Sequence, residues 1–301
     1  MLNYLKFRLF LAFIILLSSN LIYSQSNNKL KPIDVFSLEY VSSPKISPDG
    51  KKVLYVRNFK DIMTDKNYSN IWIINYDGTN NSPITTGNQN DFDPTWSNSG
   101  DKFTYKSNSD KTIQLYLYVL SQKSNQKLTN LQSSISSVNW SEDDNYLTFT
   151  SFVEESSNGL VKMPEKPKGA KWNDPAVEID NIKYRSDGRG YLKQGFSQIF
   201  ILPVEGGTPR QITYLNNDAS SPKWLAKNKI IFSANLHDNS DLEPRNSEIY
   251  LIDIISEKIK PLTFRLGPDY NPVVSHNKKE IAYLGFDERY LGYQQNDLFI
   301  M

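Results

Sequence analysis

The chain has 301 residues, 34 Lys and Arg against 33 Asp and Glu, 13% aromatic residues, two His and no Cys. Charge so balanced and interspersed offers no concentrated basic face for nucleic acid, and the lack of Cys excludes a disulfide framework and thiolate metal sites. His237 and His276 lie far apart in sequence, which excludes a multi-histidine metal site, and nothing in the composition calls for a cofactor.

In chain order, residues 1–24 read as a secretory signal peptide. Lys6 and Arg8 form a short basic region, Leu9 to Leu17 an apolar run, and Ser24 a small residue at a cleavage point before Gln25. The run is shorter than the roughly 20 residues that a spanning helix needs. The expectation is cleavage, a periplasmic or secreted mature chain, and no membrane attachment afterwards.

Residues 25–301 repeat themselves. The phrase Pro44-Lys-Ile-Ser-Pro-Asp-Gly-Lys-Lys-Val-Leu-Tyr-Val returns as Pro94-Thr-Trp-Ser-Asn-Ser-Gly and as Val138-Asn-Trp-Ser-Glu-Asp-Asp. A shortened copy begins Pro222-Lys-Trp-Leu, and a fifth begins Pro272-Val-Val-Ser-His-Asn-Lys. An apolar strand follows each copy: Ile71-Trp-Ile-Ile, Leu115-Tyr-Leu-Tyr-Val, Ile199-Phe-Ile-Leu, Ile249-Tyr-Leu-Ile and Leu298-Phe-Ile. A third phrase ends in Thr, at Thr85, Thr129, Thr213 and Thr263.

The period is about 45–50 residues, that of four-stranded propeller blades. Pro at the strand start need not donate a ladder bond, and Asp49-Gly50 supplies a reversal between strands. The Val-Leu-Tyr-Val run suits a strand buried on both faces. Trp96, Trp140 and Trp224 share one repeat position, so stacked blades place a large ring at each equivalent contact. The expected fold is all-β, a β-propeller of four-stranded blades with about five blades visible and the ring incomplete.

One unit is longer than the rest, with an insertion at about 151–197. Its first part, from Met163 to Trp172, is rich in Pro, Lys and Gly and reads as a loop. Tyr184-Arg-Ser-Asp-Gly-Arg-Gly-Tyr-Leu reads as a protruding hairpin. The acidic segments His237–Glu243 and Asn90–Asp93 lack the Gly and distal Glu of a calcium loop and read as polar turns.

The Pro-x-x-Ser-Pro-Asp-Gly-Lys phrase, set before Ile-Tyr-Leu-Ile-Asp and Leu-Thr, resembles the propeller repeats of the prolyl-oligopeptidase superfamily and of the Tol-associated periplasmic propeller. Ile182–Leu192, Glu243–Asp253 and above all Ile281–Met301 are similar to the acylaminoacyl-peptidase and dipeptidyl-peptidase branch of the former. The resemblance spans about Leu30 to Met301. It implies a C-terminal α/β-hydrolase domain with a Gly-x-Ser-x-Gly elbow, which this sequence does not contain. The expectation is therefore a fragment that is not catalytic as it stands. Its blade edges stay open, which allows self-association into a homo-oligomer.

The resemblance further implies a propeller that gates short peptide substrates and binds a free α-amino group through carboxylates, since a buried ammonium needs charged partners. Glu243, Asp287 and Glu288 are the candidates for that role. Arg245 and Arg289 could meet a peptide carboxylate bidentately. The alternative is a stand-alone propeller of the Tol-associated kind, serving as a periplasmic protein-binding scaffold.

Overall fold

Each repeat folds as one antiparallel sheet, in sequence order from one edge to the other. The computed structural model describes residues 29–155, 164–173, 179 and 181–301; the signal-peptide segment lies outside them. Blade 1 comprises β1 (Tyr40–Ile46), β2 (Lys52–Asp61), β3 (Lys66–Asn75) and β4 (Ser82–Pro83). Blade 2 comprises β5 (Asp91–Trp96), β6 (Lys102–Ser107), β7 (Gln114–Val119) and β8 (Ser124–Lys127).

Blade 3 begins with β9 (Ile135–Trp140) and β10 (Tyr146–Glu154). A separate hairpin of β11 (Arg185–Ser186) and β12 (Gly190–Tyr191) precedes its last strands, β13 (Gly195–Pro203) and β14 (Arg210–Gln211). Blade 4 holds β15 (Ser220–Ala226), β16 (Lys229–Ala234), β17 (Glu248–Asp253) and β18 (Ile259–Pro261). The fifth sheet has three strands, β19 (Asp269–Val274), β20 (Ile281–Gly285) and β21 (Asp297–Ile300). These sheets are blades of a β-propeller.

The chain divides into two compact units. One comprises the described residues up to Tyr40 together with Phe59–Asn67. It holds a 3-10 helix, Pro32–Ser37, whose Asp34 carboxylate accepts the Lys31 N–H at 2.8 Å. It also holds the tip of the β2–β3 hairpin, where Asp61 accepts from Met63 N and Thr64 Oγ1. The other unit, Val41–Asn58 and Tyr68–Met301, carries the blades.

Within that larger unit the core lies between successive blades. Leu54, Val56 and Ile71 of blade 1 pack with Phe103, Tyr105 and Tyr118 of blade 2. Leu115 and Leu117 meet Trp140, Leu147 and Phe149 of blade 3, and Ile199 and Ile201 meet Trp224, Ile230 and Phe232 of blade 4. Ile231, Ile249 and Leu251 complete the series against Ile281. The second strands β6, β10 and β16 carry continuous buried runs, whereas β2 and β20 are only partly buried. Burial on both faces thus holds for the second strands of blades 2 to 4 and not for the Val-Leu-Tyr-Val run on which it was first expected.

The repeated Trp residues do more than fill space. Trp96 Nε1 donates to Lys45 O at 2.9 Å, and Trp140 Nε1 donates to Thr95 O at 3.1 Å. Each indole therefore reaches the preceding blade at the equivalent carbonyl. Trp224 occupies the same place, but its Nε1 is buried without a hydrogen-bond partner.

The phrase itself is a turn built by its Ser. Ser47 Oγ donates to Asp49 and accepts from Lys52 N, and Ser141 with Asp143 and Ser275 with Asn277 repeat the pattern. The fourth residue of the turn is left-handed in each case, Gly50, Asp144 and Lys278, as is Gly100 in the turn that begins at Ser97. In blade 4 Leu225 replaces this Ser, and the turn shortens to bring Ala226 opposite Lys229. The insertion is also narrower than its sequence suggests. Strands β10 and β13 pair out to Glu154 and Gly195, so it occupies 155–194.

Candidate functional site

A cavity of about 180 Å³ opens where the loop before β17 meets the loops flanking β19 and β20. Its walls include Glu243, Arg245, Leu266, Gly267, Glu288 and Tyr290. Three local features build it. The 237–246 turns are chained by backbone bonds from Ser240 to His237 O and from Asn246 to Glu243 O, and Asn235 Nδ2 donates to Glu243 O at 2.8 Å. Asn246 Oδ1 accepts from Gly267 N, and Glu288 N donates to Leu266 O, so three loops are stitched side by side. Gly267 has φ +136, and a Cβ there would overlap the carbonyl oxygen of Phe286, so this approach is open to glycine alone.

The 286–296 loop is shaped by Gln294. Its Oε1 accepts from Arg289 N and Leu291 N, and its Nε2 donates to Asp287 O. Tyr290, left-handed at φ 56, is thereby presented to the cavity.

Of the sequence-derived candidates, Glu243, Arg245 and Glu288 come together here, and Asp287 and Arg289 do not line the cavity. The Glu288 side chain is only 4% exposed; it pairs with Arg245 at 2.8 Å and accepts the Tyr290 N–H at 2.5 Å. Glu243 Oε1 accepts the Tyr290 hydroxyl at 3.0 Å. That bond, the Glu243 charge and the more distant Glu288 charge push the Tyr290 phenol up. Asp287 instead faces Arg265 at 3.5 Å, and Arg289 enters the loop through its backbone N–H.

The charges decide what the cavity can take. Arg245 answers Glu288, whereas among the described residues the partner of the Glu243 carboxylate is the neutral Tyr290 hydroxyl. The lining is left with one negative charge in excess, which favours a cationic group. Sequence reading missed Tyr290, Gln294, Asn246 and Gly267. The Tyr-Leu-Gly-Tyr-Gln stretch hinted at the first two; nothing local marked the others, whose partners lie some 20 residues away. Among the described residues no group of acidic or His side chains is arranged to hold a metal, and no helix is long and apolar enough to cross a membrane.

No family model matches the chain. It is 25% identical over 221 residues to the uncharacterized peptidase YuxL of Bacillus subtilis, covering 73% of this chain and 33% of that protein. It is 27% identical over 279 residues to dipeptidyl-peptidase 5 of Porphyromonas gingivalis, covering 88% of this chain and 40% of that protein. The fold superposes on Pyrococcus horikoshii acylaminoacyl peptidase with a TM-score of 0.67 at 17% identity, over 88% of this chain and 38% of that one. A putative TolB from Agrobacterium tumefaciens gives 0.53 at 14% identity, over 87% of this chain and 77% of that one.

The chain is therefore similar, over most of its length, to the propeller region of prolyl-oligopeptidase-type serine peptidases. It spans about a third to two fifths of the length of the curated relatives it matches.

Proposed function

We propose that the chain is the substrate-gating propeller portion of a secreted serine peptidase that acts on short peptides, and that the cavity beside Tyr290 receives a peptide's α-ammonium group. The observation that carries this reading is the excess carboxylate: Glu243 has a neutral partner while Arg245 is held by Glu288. An ammonium in this cavity is stabilised by such a carboxylate and can also donate to Tyr290 O. Gly267 and Gln294 fix the walls, and Glu288 serves to hold Arg245 and the Tyr290 backbone. The peptidase relatives support the peptide class of ligand. The basic and apolar order of residues 6–17 supports export to the periplasm or beyond.

A second reading, a periplasmic scaffold without a hydrolase, is supported by the likeness to the Tol-associated propeller fold. Sequencing the transcript across the Met301 codon separates the two. The first expects a Gly-x-Ser-x-Gly elbow within a few hundred residues downstream; a stop codon followed by an unrelated gene contradicts it and favours the scaffold.

A further inference from the structure

The blades share a buried latch that joins the third strand to the end of the fourth. In blade 3 Ile199 N donates to Thr213 Oγ1, and that hydroxyl donates to Gln198 Oε1 at 2.8 Å. Gln198 Oε1 also accepts from Leu215 N, and its Nε2 donates to Leu215 O at 2.8 Å. Blade 2 repeats every bond with Gln114, Thr129 and Leu131. In blade 1 the shorter Asn70 still donates to Gly87 O, two residues beyond Thr85. An amide is required because the latch needs an acceptor and a donor on one side chain.

Blade 4 puts a carboxyl in this place. Thr263 Oγ1 donates to Glu248 Oε2 and Ile249 N donates to Thr263 Oγ1, and the Arg265 backbone N–H favours the ionised carboxyl. The acceptor half of the latch is therefore intact. The donor half exists only if Glu248 carries a proton. Glu248 is 2% exposed, and the guanidinium that faces it is already engaged by other carboxylates. Arg265 is engaged by Asp269, which is fully buried, and it also faces Asp287. His237 Nε2 lies 3.6 Å from Glu248 Oε1 and makes no hydrogen bond. Tyr250 and Tyr283 complete the surround as neutral phenols held up by burial and by the nearby carboxylates. Arg265 and Asp269 alone balance, so an ionised Glu248 is one buried negative charge too many.

We propose that Glu248 is a proton-operated form of this latch: protonated, it stands in for the glutamine and holds residues 264–267 against β17; ionised, it releases them and, with them, the Leu266–Gly267 wall of the cavity. The proposal does not depend on what the cavity binds. Burial pushes the Glu248 carboxyl up to about 7; the Asp269 charge adds to the rise, and the Thr263 hydroxyl, the Arg265 charge and the Arg265 N–H oppose it. The folded-state value lies above the unfolded one, so the latch contributes fully below about pH 4.5 and its contribution is lost as pH rises through about 7.

The test compares the whole chain with Glu248→Gln by denaturant unfolding from pH 4.5 to 8. The folding equilibrium constant of the wild type is expected to fall relative to that of Glu248→Gln, by at most about 300-fold, and then to level off. A His237→Asn chain is expected to keep that dependence. NMR of the wild-type chain with carboxyl-labelled Glu supplies a readout that needs no variant: one resonance is expected to titrate near neutrality, with faster amide exchange at Leu266 and Gly267 above that point. The proposal is overturned if Glu248→Gln keeps the wild-type pH profile, if His237→Asn abolishes it, or if every labelled Glu titrates near 4.5.

Discussion

Trp140 and Trp224 are the same residue at the same repeat position with different hydrogen bonding. Trp140 Nε1 ties blade 3 to the Thr95 carbonyl, whereas Trp224 Nε1 is buried with no partner. Replacing each by Phe removes similar ring area, so the difference between the two isolates the hydrogen bond. Trp140→Phe is expected to cost about 1 kcal/mol more than Trp224→Phe, because it strands a carbonyl where the other removes an unsatisfied donor. Urea unfolding midpoints at constant m-value check this; equal costs, or the reverse order, would contradict it. The in-register Trp residues were legible in the sequence because identity and spacing alone mark them. The asymmetry was not, because it depends on backbone placement in the neighbouring blade.

At the scale of the element, two devices recur in the blades. The first strand of each blade carries a left-handed, non-glycine residue just before its repeat phrase: Ser43, Asp93, Ser137, Ser221 and Asn271, with φ between 51 and 55. In the strands that begin blades 2 to 5 this residue falls where the register shifts, as between Phe92 and Thr95. Such bulges bend and twist a strand, and Ser221 Oγ donating to Asn271 Oδ1 at 2.8 Å links two of them.

The second device is the amide latch. Thr213→Val keeps the shape but removes the acceptor for Ile199 N and the donor to Gln198. A loss of about 1–3 kcal/mol is expected from the stranded buried groups, measured by thermal or urea unfolding; a change below a few tenths of a kcal/mol would show that the latch is idle. The Thr-ended phrase was visible in sequence. Its partner was not, since Gln114, Gln198 and Glu248 stand 15 residues upstream and differ in type. The same distance hid Glu248 as the odd member.

For the whole molecule, the propeller was the most legible feature, because a period of strands with fixed turn chemistry requires no tertiary knowledge. The site was half legible. Of the five residues expected to bind substrate, the fold places Glu243, Arg245 and Glu288 around one cavity, and their charges redistribute: Arg245 pairs with Glu288, and Asp287 turns to Arg265. Which carboxylate stays available is a property of the assembled loops and could not be counted along the chain.

The preference of the cavity for a cation rests on that carboxylate. The direct measurement is calorimetric titration of the chain with a short peptide bearing a free α-amine and with its N-acetylated form, each repeated on Glu243→Gln. The free-amine peptide is expected to bind about tenfold or more tightly than the acetylated one, a difference of about 1.4 kcal/mol, and to lose that advantage in Glu243→Gln. Equal binding of the two peptides, or an advantage unchanged in Glu243→Gln, would contradict the assignment of the cavity to a peptide ammonium.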